Sequence, residues 1–232
     1  MYLSIIIPSF NEGHLIGNLL EQIDVNLLGE LFEVIVIDDG STDNTEEVVK
    51  DFPRIKYYRQ SNQGKGAAVR EGAKIATGDF IGVLDADNEY SVEDLLKCAA
   101  QISHEPKRLV YGSRYKLTKF PYLRFKPLQN QSILNLYFNH LLSLVFFSKQ
   151  KIYISDLLTG TKIYPRIEFV ALDCKTNGFE TDHELTLGFI KLGFSIIEVP
   201  INYFPRNKKE GKKITFKDAL KALQILRKNY IS

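Results

Sequence analysis

Cysteine is scarce: 232 residues include only Cys98 and Cys174. Two thiols cannot build a disulfide scaffold, and their spacing matches no zinc motif, so a reducing cytosolic setting is the default expectation. A charge of one sign is lacking too. Thirty Lys and Arg stand against 28 Asp and Glu, a formal net charge of +2. That balance gives no global reason to expect a nucleic-acid partner. No stretch reaches the run of about 18 apolar residues needed to cross a bilayer. The nearest, ILNLYFNHLLSLVFF at 133–147, is short and interrupted by Asn135, Asn139 and His140. This reads against an integral membrane protein and leaves the membrane surface open. The opening MYLSIIIPSFNEG has no basic n-region and meets Pro8, so it does not read as a signal peptide. No repeat, low-complexity tract or Gly/Ser/Pro linker divides the chain.

What is present is 44% hydrophobic and 25% charged residues, the make-up of an ordinary globular chain large enough for a substantial core. Short β-branched runs alternate with helical patterns through the first half. Residues 4–8, 32–37, 55–58, 80–84 and 109–111 read as strands. Helices are expected from about 12 to 28 behind Asn11, through Lys50 behind Ser41 or Asp43, and over 65–76 behind Gly64. A fourth, reaching about 103, begins at the capping-box-like Ser91-Val-Glu-Asp94. Strand and helix alternating at this spacing predict right-handed βαβ units: an α/β chain with a Rossmann-like, mostly parallel sheet flanked by helices.

After Gly112 the rhythm breaks. A basic, aromatic loop (KLTKFPYLRFK, 116–126) precedes a long helix over about 130–147. A strand at 161–164, helices after Pro165 and over 182–192, a strand at 195–201, a basic loop and a last helix over 215–230 complete the reading. One composite domain is expected, with residues 1–112 and 113–232 as its two halves.

In a doubly wound sheet, ligands bind beyond the carboxyl ends of the strands. There the sequence places Pro8-Ser-Phe-Asn-Glu12, then Asp38-Asp39-Gly40-Ser41, then Asp85-Ala86-Asp87. A helix cap or an Asx-turn accounts for any one of these carboxylates. Three groups at one edge are harder to explain so, because clustered carboxylates repel unless a cation or donors sit between them. Asp85 and Asp87, two apart at a strand end, can both face one hard cation. Mg²⁺ or Mn²⁺ is held by one or two carboxylates together with phosphate oxygens, which implies a diphosphate substrate. Asp38 and Asp39 suit the N–H and hydroxyl groups of a base and ribose.

These segments, with Gly64-Lys65-Gly66 and Gly112-Ser113-Arg114-Tyr115, resemble the inverting family 2 glycosyltransferases of the GT-A fold. Within that family the chain is similar to the dolichyl-phosphate (polyprenyl-phosphate) mannose and glucose synthase branch, over about residues 2–213. The ordered set is far more specific than a lone DxD. The resemblance implies that Pro8, Asn11, Glu12, Asp39, Lys65 and Gly66 line a pocket for a UDP- or GDP-sugar, with Asp38 near it. It implies that Asp85, Ala86 and Asp87 carry the metal and diphosphate. Glu89 stands where the branch usually has glutamine, a possible third metal carboxylate. Arg114 falls near an acceptor phosphate, with Arg124 and Lys162 as further acceptor contacts. Asp156 and residues 160–162 match a D-x-x-(S/T)-G-x-(R/K) segment. Arg206, Gly211, Lys212 and Lys213 match a mobile loop over the diphosphate, with Arg206 and Lys212 as its donor contacts.

Two acceptors stay open. A sugar hydroxyl needs a general base, and Asp182, beside Glu184 at a helix start, sits where hydroxyl-using relatives carry theirs. A polyprenyl phosphate is already ionised and needs cations instead. Lys116, Lys119, Arg124 and Lys126, interleaved with aromatics ahead of an apolar helix, suit an anionic headgroup at a membrane interface. The expectation is the lipid phosphate, with Asp87, Arg114, Asp182 and Arg206 as the catalytic set. The alternative is transfer to a saccharide hydroxyl with Asp182 as base; a non-catalytic sugar-nucleotide-binding module is a third reading. Peripheral contact at the cytoplasmic face and a homodimer through surface helices accompany the lipid-phosphate reading.

Overall fold

A computed structural model describes residues 2–26, 32–102, 107–115 and 133–206. Its centre is a seven-stranded sheet built from β1 (Leu3–Ser9), β2 (Phe32–Asp38), β3 (Lys56–Arg59), β4 (Phe80–Val83), β5 (Arg108–Ser113), β6 (Lys162–Pro165) and β7 (Ser195–Pro200). The strand order is β3-β2-β1-β4-β6-β5-β7. β6 alone runs antiparallel, wedged between β4 and β5, so the sheet is mostly parallel as the alternation predicts.

β1 shows why the central strands read as continuous apolar runs. Both of its faces are covered, so every second residue serves a different core. Leu3, Ile5 and Ile7 pack on the face carrying α1 (Gly13–Asn26), α2 (Thr45–Lys50) and α4 (Val92–Ala99). Ile6 packs on the other, with α3 (Lys65–Ile75), α5 (Ile133–Gln150), α6 (Arg166–Ala171) and α7 (Thr181–Lys191). Gly72 lets α3 lie close to the sheet, since a Cβ there would be 2.6 Å from Ile6 Cγ2.

Ser91 caps α4 as its pattern predicts, its hydroxyl accepting from the Asp94 N–H at 3.1 Å. The expected cap of α2 differs. Ser41 accepts from the Asn11 N–H and Asp43 from the Thr45 N–H, so both side chains tie loops together ahead of a helix starting at Thr45. Cys98 and Cys174 are free thiols, as expected. No described helix is long and apolar enough to cross a membrane. The basic segment 116–126 and the last helix over 215–230 lie outside the described residues.

Candidate active site

The carboxyl ends of β1, β2, β4, β5 and β7 and the amino end of β6 share one rim. Its floor is set by the loops after β1 and β2. Asn11 adopts a left-handed φ of 52°, which asparagine tolerates. Its Oδ1 accepts from the Thr42 N–H at 2.7 Å while its own N–H donates to Ser41 Oγ at 2.9 Å. The Glu12 N–H donates to Thr45 Oγ1 at 3.2 Å, completing the tie between the two loops. Pro8, half-buried, is in register with Ile37 on the neighbouring strand.

Asp38 and Asp39 divide their labour. Asp38 is fully buried; one oxygen accepts from the Ser41 N–H at 2.7 Å and the other from the Tyr57 hydroxyl at 2.6 Å. It therefore shapes the turn beside the pocket instead of presenting a free carboxylate. Asp39 gathers three donors: Gln60 Nε2 at 2.7 Å, the Gln63 N–H at 2.8 Å and the Gly64 N–H at 2.7 Å. That last contact, with Gly64 at φ 106°, sets the entry of α3 and hence the position of Lys65. Gly66 meets Thr181 and Gly178, which lets α3 pack closely against the start of α7.

Asp85 and Asp87 stand beyond β4 with the buried Ala86 between them. Asp85 faces Lys65, whose ammonium lies 2.5 Å from Oδ1. Burial works against that ammonium, but the carboxylates of Asp85 and Asp182 outweigh it and raise Lys65 to about 12. Asp87 faces Arg206, with Nη2 at 2.7 Å from Oδ2, and the same guanidinium reaches Glu12 Oε2 at 3.3 Å. Both aspartates hold their protons above the ordinary carboxylate range. The causes are burial first, then repulsion from Asp87 on Asp85 and from Glu89 on Asp87, with Lys65 and Arg206 opposing. A half-buried pair of mutually repelling oxygen donors is the donor set that a hard divalent cation satisfies. Gly160 leaves room for it: a Cβ there would lie 2.5 Å from Asp85 Oδ2.

The expected third metal carboxylate is not part of this pair. Glu89 Oε2 accepts from the Tyr203 hydroxyl at 2.7 Å and Oε1 from the Arg206 N–H at 2.9 Å. Asn88, at φ 56°, turns the chain so that Glu89 serves the segment after β7. Among the described residues no group of three His, Cys, Asp or Glu is placed to hold a metal ion.

Two residues expected at the acceptor have partners within the chain. Arg114 grips the fully buried Asp156 through Nε and Nη2, both at 2.7 Å, and through its N–H at 3.1 Å. The guanidinium stacks over Tyr203 at 4.8 Å, so it is committed to an internal ion pair. Lys162 is buried at 1% exposure, donating to the Leu157 carbonyl at 3.2 Å and lying 3.6 Å from Asp182 Oδ2. Desolvation lowers its pKa, Asp182 opposing and Lys65 adding to the fall. The cation of Lys162 thus faces Asp182. Asp182 keeps 27% of its side chain exposed. Burial would raise its carboxyl, yet Lys162, Lys65 and then His183 hold it below the usual range. Arg124 and Lys212, with Gly211 and Lys213, lie outside the described residues.

Tyr203 is the residue that sequence reasoning missed. It bonds Glu89, covers Arg114 and packs on Tyr90 at 5.3 Å, yet an aromatic after a strand carries no signal of those partners.

A family model described as Glycosyl transferase family 2 matches residues 4–161. A dolichyl-phosphate beta-glucosyltransferase of Trichomonas vaginalis is 26% identical over 243 residues, covering 95% of this chain and 70% of that protein. A dolichol-phosphate mannosyltransferase of Pyrococcus furiosus is 33% identical over 132 residues, 53% of this chain and 37% of that one. Among solved structures, glucosyl-3-phosphoglycerate synthase from Mycobacterium tuberculosis in complex with uridine diphosphate superposes with a TM-score of 0.74 at 18% identity, over 97% of this chain and 78% of that chain. The same enzyme with Mn²⁺, uridine diphosphate and glucosyl-3-phosphoglycerate superposes at 0.67 and 19% identity, over 90% and 74%. At that identity the likeness is one of fold.

Proposed function

The chain belongs to glycosyl transferase family 2, and from that premise we propose that it transfers a sugar with inversion from a UDP- or GDP-sugar to a polyprenyl phosphate of the dolichyl type. In this reading Asp85 and Asp87 hold Mg²⁺ or Mn²⁺. The observation that carries the acceptor choice is Asp182. A useful general base has a pKa near the working pH, whereas Lys162 and Lys65 keep this carboxylate ionised below its ordinary range. Its Oδ2 faces the buried Lys162 ammonium at 3.6 Å, so the carboxylate already has a cation within the chain, and a phosphate acceptor needs no proton taken. The dolichyl-phosphate relatives support the same acceptor class, and Mn²⁺ and uridine diphosphate in the mycobacterial enzyme support the donor and metal class.

In the proposed reaction an oxygen of the acceptor phosphate bonds to the anomeric carbon opposite the donor. The bond from that carbon to the donor phosphate oxygen breaks, and its electron pair leaves on the nucleoside diphosphate. A bound divalent ion supplies Lewis-acid stabilisation of that developing charge. Lys65 and Arg206, fixed beside the two aspartates, supply preorganised positive charge around them. Asp182 holds Lys162 and Lys65 in place. A membrane surface suits the lipid acceptor: Tyr137, Leu141, Leu144 and Phe147 of α5 are exposed, and basic residues 116–126 precede that helix. The cytoplasmic face is the proposed side.

The test is a turnover screen of UDP-glucose and GDP-mannose with Mn²⁺ or Mg²⁺, against a short polyprenyl phosphate and a panel of saccharides. Metal-dependent sugar transfer to the lipid phosphate is expected, lost in Asp85→Asn/Asp87→Asn and only weakened in Asp182→Asn. Transfer to saccharides alone, abolished by Asp182→Asn, would overturn the acceptor assignment.

A further inference from the structure

Asp87 has a single carboxylate for two kinds of cation. Its Oδ1 accepts from the Glu89 N–H at 3.1 Å, closing the turn, and its Oδ2 is engaged by Arg206 Nη2 at 2.7 Å. A hard divalent ion binding through Oδ2 would sit at about 2.1 Å from that oxygen, next to a guanidinium of the same sign. Arg206 does not reach Asp87 by chance of rotamer. Its backbone is fastened first: the Arg206 N–H donates to Glu89 Oε1 at 2.9 Å, the Phe204 N–H to the Glu89 carbonyl at 3.0 Å, and the Tyr203 hydroxyl to Glu89 Oε2 at 2.7 Å. Glu89 is 7% exposed, so these bonds form where water competes little.

We propose that Glu89 and Tyr203 form a latch that holds Arg206 across Asp87, so that Arg206 and the divalent cation exchange on that carboxylate. Glu89 is then a positioning residue and not a metal ligand. The inference rests on the donor and metal class proposed above and adds a rule of binding order. Metal alone must displace Arg206 from its shortest ion pair, leaving it the longer contacts to Glu12 and Glu89. A diphosphate arriving with the metal gives the displaced guanidinium a new anionic partner. Metal and nucleotide therefore strengthen each other's binding by the same factor, and Arg206 supplies part of that coupling.

The test is direct titration of Mn²⁺, followed by its paramagnetic resonance signal, with and without saturating UDP. It compares the wild type, Arg206→Gln and Tyr203→Phe. Removing Arg206 should tighten Mn²⁺ binding in the absence of UDP by roughly tenfold, the effect of losing one charge-assisted competitor. The factor by which UDP improves Mn²⁺ affinity should shrink. Tyr203→Phe changes no charge and keeps the ring, yet should tighten Mn²⁺ alone several-fold by loosening the latch. A metal-ligand role for Glu89 makes the contrasting demand that Glu89→Gln weaken Mn²⁺; a latch tolerates the amide, which still accepts a bond. Unchanged or weakened Mn²⁺ binding in both Arg206→Gln and Tyr203→Phe overturns the proposal while leaving the enzyme class standing. A wild type that binds no Mn²⁺ even with UDP overturns the metal reading and the latch together.

Discussion

Replacing Asp156 by alanine isolates a question about Arg114, whose expected partner was an acceptor phosphate and whose observed partner is internal. The Asp156 side chain is 0% exposed and that of Arg114 9%. The pair is bidentate, with both contacts at 2.7 Å. Removing one member of such a buried pair leaves an uncompensated charge and costs about 3–5 kcal/mol. In a chain of this length, each kcal/mol lowers the melting temperature by about 2–4 °C, so a fall of roughly 10 °C is expected for Asp156→Ala. Arg114→Lys should fare little better, because an ammonium cannot reproduce the planar fork. The double variant Arg114→Met/Asp156→Leu should recover most of the loss, since apolar replacement of both partners is often close to neutral. Urea and thermal unfolding followed by circular dichroism measure these three variants, Arg114→Met and the wild type, and turnover is measured beside them. If Arg114→Met unfolds within about 0.5 kcal/mol of wild type, as an ordinary surface substitution does, while turnover collapses, the ion-pair reasoning is refuted and Arg114 belongs to the acceptor.

Two further outcomes follow from the same rim. His183 is buried beside Lys162, and desolvation, helped by Lys162, lowers its imidazole from 6.5 to about 4. The unfolded chain thus takes up a proton that the folded one refuses. The stability held by a neutral His183 is complete above pH 6.5 and erodes as pH falls towards 4, by about 3 kcal/mol at most. Urea midpoints between pH 7 and 4.5 should fall more steeply for wild type than for His183→Gln, and parallel curves would disprove it. Gly160→Ala would set a methyl 2.5 Å from Asp85 Oδ2 and 2.7 Å from Tyr90 Cε2. The chain should still fold, but metal-dependent UDP binding should drop by about tenfold or more, as misplaced site groups do; calorimetric titration of UDP with Mn²⁺ checks it, and unchanged affinity would show that Asp85 has room to spare.

Much of the frame was legible in the chain because its causes are local. Continuous apolar runs foretell strands covered on both faces, and Ser91 with Asp94 foretells the start of α4. The Asp85-Ala86-Asp87 turn marks the rim because a strand end fixes where both carboxylates go. Partnerships across the chain were not legible. Arg114 and Asp156 are separated by 42 positions, and Arg206 and Asp87 by 119. A charged side chain carries no mark of whether its counter-charge is a ligand or another residue. Lys162 illustrates this: its burial comes from β6 lying antiparallel between two neighbours, in the part of the chain where the strand–helix alternation has already broken. Glu89 was read by its place beside two aspartates, whereas the left-handed Asn88 turns it the other way.

That reversed strand also dictates how the molecule must come together. β4 and β5 are neighbours in the sequence of strands but are not paired; β4 pairs with residues 162–165 and β5 with 162 and 163, made some fifty positions later. A nascent chain that has emerged only through β5 carries two unzipped ladders and an unclosed wall beside Asp85. The keystone arrives afterwards, bringing Lys162 to the end of β4 in register with Val83. Closing the sheet between β4 and β5 and bringing Lys162 to the rim therefore rest on one and the same strand, supplied by the second half of the chain.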